Sequence, residues 1–328
     1  MHRPSRLPLA AAPLTATLLA AVLAASAPGA AIAAPRGGSP VASPHGLQMP
    51  GDFHGDEPVA RSGQTWLTIR RTDHGQVELE AVRLRVSAIE DPLGDAPGEK
   101  TGRRVEAAGG KTTDHEIVAF LRGPGLHDGA VPSAIVETFK LPGLPDADIR
   151  LAKTRYQLRT ECAPFVPTGD GSGMSHSPEC RILLRQGNAS APLMATSATR
   201  MRQEDGSEVT SLGDDASPHL FFAGDLDRDG KLDLIFDTTD HYNVSRPTLF
   251  LSGAVASGVG LSDAELSEAG LLPTAPSGPD LPISDKSPPA GAPARPPTDK
   301  AAPADGEGNT SKPAPLLRAV AIYRAVGC

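Results

Sequence analysis

The chain has no surplus of basic residues: 31 Lys and Arg stand against 39 Asp and Glu, for a net charge of −8. Nucleic-acid partners are held by clustered Lys and Arg on phosphates, so this balance argues against that class. Aromatic residues make up only 4% of the chain, too few for broad stacking platforms for sugars or bases. Cysteine is also scarce, at three residues, and no C-x-x-C pair or helical His pair points to zinc. No phosphate-cradling or dinucleotide motif follows a strand. Gly171-Ser172-Gly173 fails the serine-hydrolase elbow, because Asp170 and Met174 occupy the places of its flanking glycines. His54-Gly55-Asp56-Glu57 and Asp114-His115-Glu116 lack the H-E-x-x-H spacing and read as solvated loop residues.

Glycine and proline are abundant, with 34 and 33 copies, so much of the chain is loop. The first 33 residues carry a short basic start (Arg3, Arg6), an Ala/Leu-rich apolar stretch from Leu9 to Leu23, and Ala31-Ile32-Ala33. Together these predict a signal peptide cleaved after Ala33 and a secreted or periplasmic mature protein, with no membrane span once it is removed. In an oxidising compartment Cys162 and Cys180 are placed to form a disulfide, since they flank a turn-rich stretch between two strand-like runs. Cys328 is left unpaired, or competes for one of the other two.

Residues 34–60, rich in Gly, Pro, Ser and His, read as a flexible N-terminal segment. From Thr65 the pattern becomes period two, predicting a β-domain over 61–272. Strands are expected at Thr65–Arg71, Val77–Ile89, Glu116–Leu121, Ala134–Phe139, Ile149–Glu161, Cys180–Gln186 and Leu193–Ala198. In the second of these the apolar register shifts between Leu79 and Val82, which predicts a β-bulge near Ala81. The fold class is therefore mainly β: an irregular sandwich or barrel-like domain with long loops. One short helix is expected after the capping box Ser262-Asp263-Ala264-Glu265, with Leu261 and Leu266 as staple and Gly270 as stop. Residues 273–315 hold 12 prolines in 43 positions and read as a disordered linker. Residues 316–328 turn apolar again and read as a C-terminal strand returning to the sheet, with a short helix as the alternative.

The densest chemistry lies in Gly224-Asp225-Leu226-Asp227-Arg228-Asp229-Gly230-Lys231-Leu232-Asp233. Carboxylates at alternate positions repel one another unless a cation neutralises them, and a hard divalent ion such as Ca²⁺ takes six to eight oxygens. An EF-hand opens similarly, but needs a Glu at the twelfth position and helical flanks. Here the twelfth residue is Phe236 and the flanks are strand-like. The alternative is an ion-free turn, its charges relieved by solvent, Arg228 and Lys231.

The run from Gly224 to Asp233, followed by Leu234-Ile235-Phe236, resembles the calcium loop of FG-GAP/VCBS repeats, the blade hairpins of integrin-type propellers. That resemblance spans residues 221–251. It implies carboxylate ligation by Asp225, Asp227, Asp229 and Asp233, and a main-chain oxygen from Lys231. One repeat cannot close a propeller, so the propeller fold does not follow. The wider arrangement resembles secreted bacterial proteins, a likeness that supplies no activity. Asp237, Asp240, His241 and Tyr242 could form a small polar site beside the loop, or simply build the turn. The sequence thus predicts an exported calcium-binding β-domain, a non-enzymatic binding or adhesion protein whose partner is a protein or polysaccharide at the cell envelope. A secreted hydrolase with structural calcium is the alternative, and a cleft around His115 or His241 would favour it.

Overall fold

A computed structural model describes residues 43–72, 74–109, 117–139, 144–268, 271 and 315–326. The expected signal peptide, almost all of the Pro-rich segment, Gly270, the Asp114–Glu116 cluster and Cys328 lie outside them. The described residues form twenty strands and two short helices, a mainly β architecture.

The chain builds its sheets one after another. The first seven strands, β1 (Gly46–Gln48), β2 (Gly51–Phe53), β3 (Thr65–Arg71), β4 (Val77–Ile89), β5 (Gly102–Ala107), β6 (Ile117–Arg122) and β7 (Gly129–Val131), make one sheet in the order β1-β6-β3-β4-β5-β2, with β7 on β4. The next seven, β8 (Ile135–Phe139), β9 (Ala147–Leu151), β10 (Thr154–Cys162), β11 (Val166–Pro167), β12 (Met174–Gln186), β13 (Ala189–Arg202) and β14 (Glu208–Leu212), make a second, ordered β14-β13-β12-β10-β9-β8. Both are antiparallel and curved as half-barrels.

The remaining strands are β15 (Leu220–Gly224), β16 (Asp233–Asp237), β17 (Val244–Ser245), β18 (Pro247–Leu251), β19 (Arg318–Ile322) and β20 (Ala325–Val326), with helices α1 (Gly253–Ser257) and α2 (Asp263–Glu268) between β18 and β19. Strands β15-β16-β18-β19 form a four-stranded sheet that is buried on both faces: every residue of β16 and β18 is buried. Ile235, Leu249 and Val320 join the hydrophobic core of the first sheet. Their neighbours Leu234, Phe236, Phe250 and Ala319 join the core of the second. The small sheet is therefore a middle layer between two half-barrels. This explains why Leu234-Ile235-Phe236 and Leu249-Phe250-Leu251 are unbroken apolar runs rather than alternating ones.

Cys162 and Cys180 are bonded, and stand directly opposite each other on β10 and β12. The bridge closes the base of a hairpin across a sequence separation of 18, which on the chain-entropy model is worth about 3 kcal/mol. Reduction should lower the denaturant midpoint accordingly; an unchanged midpoint would show that the bridge contributes nothing. At the second helix the capping box forms reciprocally: Ser262 N–H donates to Glu265 Oε2 (2.7 Å) and Glu265 N–H to Ser262 Oγ (3.3 Å). Leu261 and Leu266 pack against the second core.

Four features differ from the sequence expectation, the first being a second short helix, α1, where one helix was expected. Within residues 34–60, β1 and β2 are ordered edge strands, with Leu47 buried at 1% exposure. Each is three residues long, too short for a period-two pattern. They are secured instead by ladder bonds and by the buried Gln48, whose Oε1 accepts Val59 N–H (2.9 Å) and Ala60 N–H (3.2 Å). No bulge occurs at Ala81: the β3–β4 register runs unbroken from Thr65↔Arg83 to Arg71↔Val77. The buried side changes because β4 pairs with β7 at one end and β5 at the other, so its two halves meet different surroundings. The run Ile149–Glu161 is a hairpin of β9 and β10, turning at Ala152, which takes a left-handed φ of 50° without a glycine to signal it.

Candidate metal centre

The acidic loop joins β15 to β16 and is anchored at both ends by leucines. Leu226 is buried in the first core and Leu232 in the second. Between them the backbone coils tightly. Gly230 has φ 84°, and Arg228 adopts φ 59°, a left-handed conformation that costs a non-glycine residue roughly 1 kcal/mol or more. The coil brings ligand atoms of Asp225, Asp227 and Asp229 within 4.8 Å of one another.

The loop's own amides hold each carboxylate. Gly230 N–H donates to Asp225 Oδ2 (3.0 Å), Asp229 N–H to Asp227 Oδ1 (3.2 Å) and Lys231 N–H to Asp229 Oδ1 (2.9 Å). Asp225 is 5% exposed, and its Oδ1 is buried with no hydrogen-bond partner. A buried orphan acceptor is costly, about 1–3 kcal/mol, unless something fills the gap.

Asp233 is fully buried and stands beside this group. Its Oδ2 accepts Leu226 N–H (2.7 Å) and Asp227 N–H (3.3 Å), and its Oδ1 accepts Ser252 N–H (2.8 Å). The single Ser252 hydroxyl proton is shared between Asp233 Oδ1 (3.0 Å) and Asp229 Oδ1 (2.9 Å). Asp233 thus closes the loop from the outgoing strand. The side chain of Lys231 is exposed, its Nζ 3.4 Å from Asp229 Oδ2.

The shifts of Asp225, Asp227 and Asp233 all run upward, with burial as the leading cause. Burial raises the Asp225 carboxyl above its usual range, with the Asp229 charge adding to it. Burial followed by Asp229 does the same to Asp227. Asp233 is pushed up to about 8, by burial and then by Asp227.

The ion-free alternative draws on solvent, Arg228 and Lys231 for relief; solvent reaches the exposed Asp229 but not the buried Asp225. Arg228 is spent elsewhere: its guanidinium donates to the carbonyls of His127 (2.9 Å), Asp128 (3.0 Å) and Ala130 (3.3 Å). Lys231 reaches only Asp229. The donor set is all hard oxygen, with one lone buried oxygen aimed at no protein partner, so it suits a hard cation such as Ca²⁺ or Mg²⁺.

Arg228, Ser252 and Gly253 carry roles that the sequence did not disclose. Ser252 and Gly253 open α1, and from outside the loop their amides donate to its carboxylates, Ser252 N–H to Asp233 and Gly253 N–H to Asp227. A Cβ on Gly253 would lie 2.3 Å from Asp227 Oδ2, so only glycine fits while Asp227 keeps its place. Gly253→Ala should push that carboxylate aside and weaken divalent-cation binding about tenfold, as displaced supporting groups commonly do. Calorimetric titration checks it; an unchanged affinity would mean that Asp227 is not a ligand.

The other polar clusters build turns. Asp237 accepts Thr239 N–H (3.0 Å) and Arg246 N–H (2.9 Å), while Asp240 pairs with Arg246. His241 Nδ1 accepts Asn243 N–H (3.0 Å) and its Nε2 lies 3.1 Å from Asp214 Oδ2, so both ring nitrogens are engaged. Tyr242 stacks on that ring and is 70% exposed. His54 Nδ1 meets Asp91 Oδ2 at 2.6 Å. Ser172 donates its N–H and hydroxyl to Asp170, an ordinary turn. Among the described residues no helix is long and apolar enough to cross a membrane. Compared with known proteins, the chain matches no family model, no curated protein and no solved structure.

Proposed function

We propose that this chain is a non-enzymatic calcium-binding β-protein that works outside the cytoplasm, binding a protein or polysaccharide at the cell envelope. The observation that carries the reading is the convergence of Asp225, Asp227 and Asp229 around the buried, unpartnered Asp225 Oδ1. Ca²⁺ is favoured over Mg²⁺ because several carboxylates and main-chain oxygens on one loop suit a flexible cage of six to eight ligands, whereas Mg²⁺ keeps most of its waters. Asp225, Asp227 and Asp229 would hold the ion, with Lys231 C=O and Asp233 completing its surroundings as FG-GAP/VCBS loops imply. The ion would supply charge neutralisation and rigidity to the hairpin. A disulfide between paired strands suits an oxidising compartment, in keeping with export.

The test is calorimetric titration of the full chain after chelator treatment. One Ca²⁺ per chain, lost in Asp227→Ala, is expected. No heat at millimolar Ca²⁺ would remove the calcium reading. Capture of an envelope component by immobilised protein, weakened by chelator, is the companion measurement for the binding role.

A further inference from the structure

The acidic loop touches more than its own hairpin. Residues 123–134, from the end of β6 to the start of β8, comprise the loop into β7, β7 itself on β4 of the first sheet, and the short step 132–134 that carries the chain to the second sheet. Along its length this segment is tied to the acidic loop and to the strand before it. Arg228 stands between Asp227 and Asp229 in the chain, and its guanidinium reaches out to gather the carbonyls of His127, Asp128 and Ala130. Asp225 N–H donates to Pro132 O (2.9 Å), and Ala134 N–H to Ala223 O (3.0 Å). A Cβ at Gly125 would already be in contact with Asp227 Cβ, at 3.6 Å. Leu126 of the segment and Leu226 of the loop share the first core. From the opposite side Tyr156, on β10 of the second sheet, is buried against the same loop at the Leu232 backbone.

We infer that a divalent cation held by Asp225, Asp227 and Asp229 acts as a latch on the segment 123–134, which holds β7 and the crossing to the second large sheet, with Arg228 as the positioning residue that transmits occupancy to it. The proposal rests on the cation reading of the loop and adds a consequence to it. Without an ion the three carboxylates repel, and movement of the backbone from 227 to 229, exposed at 228–230, spreads them apart. Arg228 lies inside that stretch in a left-handed conformation, so its guanidinium cannot keep all three carbonyls once the coil loosens. With the ion in place the coil is fixed and the clamp holds. Binding and clamping are thus reciprocal: whatever the ion does for the segment, the clamp does for the affinity.

The experiment is amide hydrogen exchange on the full chain, with chelator and with saturating Ca²⁺, alongside calorimetry on the same samples. Ca²⁺ should slow exchange of the 123–134 segment about tenfold, a typical size for coupling of this kind. Arg228→Asn removes the fork while tolerating the left-handed conformation. It should still bind Ca²⁺, about fivefold more weakly on the same coupling scale, and should lose the slowing at 123–134 while keeping it at 225–233. Arg228→Lys, with charge but no fork, should recover only part of it. If Arg228→Asn fails to fold, the wild-type exchange and Arg228→Lys decide. Ca²⁺ binding with unchanged exchange at 123–134, or with slowing that survives loss of the fork, overturns the latch and leaves the cation site standing. No Ca²⁺ binding at all overturns both.

Discussion

Ile235→Ala and Phe236→Ala are each expected to destabilise the protein heavily, by about 2–5 and about 3–5 kcal/mol respectively. They are neighbours on one strand, so their side chains leave opposite faces of the sheet. On a sheet with one wet face, one of the two would be close to neutral. Here both are fully buried, Ile235 in the core shared with β3, β4 and β6, and Phe236 in the core shared with β10 and β12. Truncating either leaves a cavity against a half-barrel, and neither side has solvent to collapse into it. Denaturant melts of the two variants are the check. Losses of similar size support the middle-layer arrangement; a change under about 1 kcal/mol at either position would show that its face is not covered, since surface replacements stay near that level.

The second large effect separates two aspartates that look alike in sequence. Asp233→Ala strips the acceptor from three amides and the Ser252 hydroxyl at once, all at a fully buried site. Buried donors left unsatisfied cost about 1–3 kcal/mol each, so a loss of at least about 3 kcal/mol is expected with or without cation. Asp225→Asn should behave differently. The amide oxygen can keep the bond from Gly230 N–H, and removing a charge relieves the repulsion from Asp229. In chelator the variant should therefore be as stable as the parent, within about 0.5 kcal/mol. What it should lose is the response to ion. At Ca²⁺ one hundred times its Kd the parent gains about 2.7 kcal/mol, or about 5–11 °C in Tm for a domain of this size. Equal Ca²⁺ responses in Asp225→Asn and parent would remove Asp225 from the site.

The loop was legible because its chemistry is contiguous. Ten successive residues supply the carboxylates, the turn glycine and the closing Asp233, and a local contact needs no knowledge of the fold. Strands such as β3 and β10 were legible for the same reason, through alternation over seven or more positions. The partners of the loop were not. Arg228 meets carbonyls about a hundred positions away, and Ser252 meets Asp229 across 23 positions; neither residue type singles itself out in the chain. The apolar runs of β16 and β18 showed that those strands are buried. They could not show that two different sheets do the burying, because one continuous run serves either topology. Strands β1 and β2 escaped notice because three-residue edges depend on backbone pairing, to which side-chain pattern is blind. Ala152 turns a hairpin in a conformation usually left to glycine or asparagine, so composition marked no break there.

The central claim is that the aspartate loop is a calcium site. A crystal structure of the full chain grown with millimolar Ca²⁺, with anomalous scattering to identify the ion, tests it most directly. The account predicts one peak enclosed by Asp225, Asp227 and Asp229, at about 2.3–2.6 Å from its oxygens, with Asp225 Oδ1 among them. A water, the Lys231 ammonium or empty space in that position, under the same conditions, would contradict it.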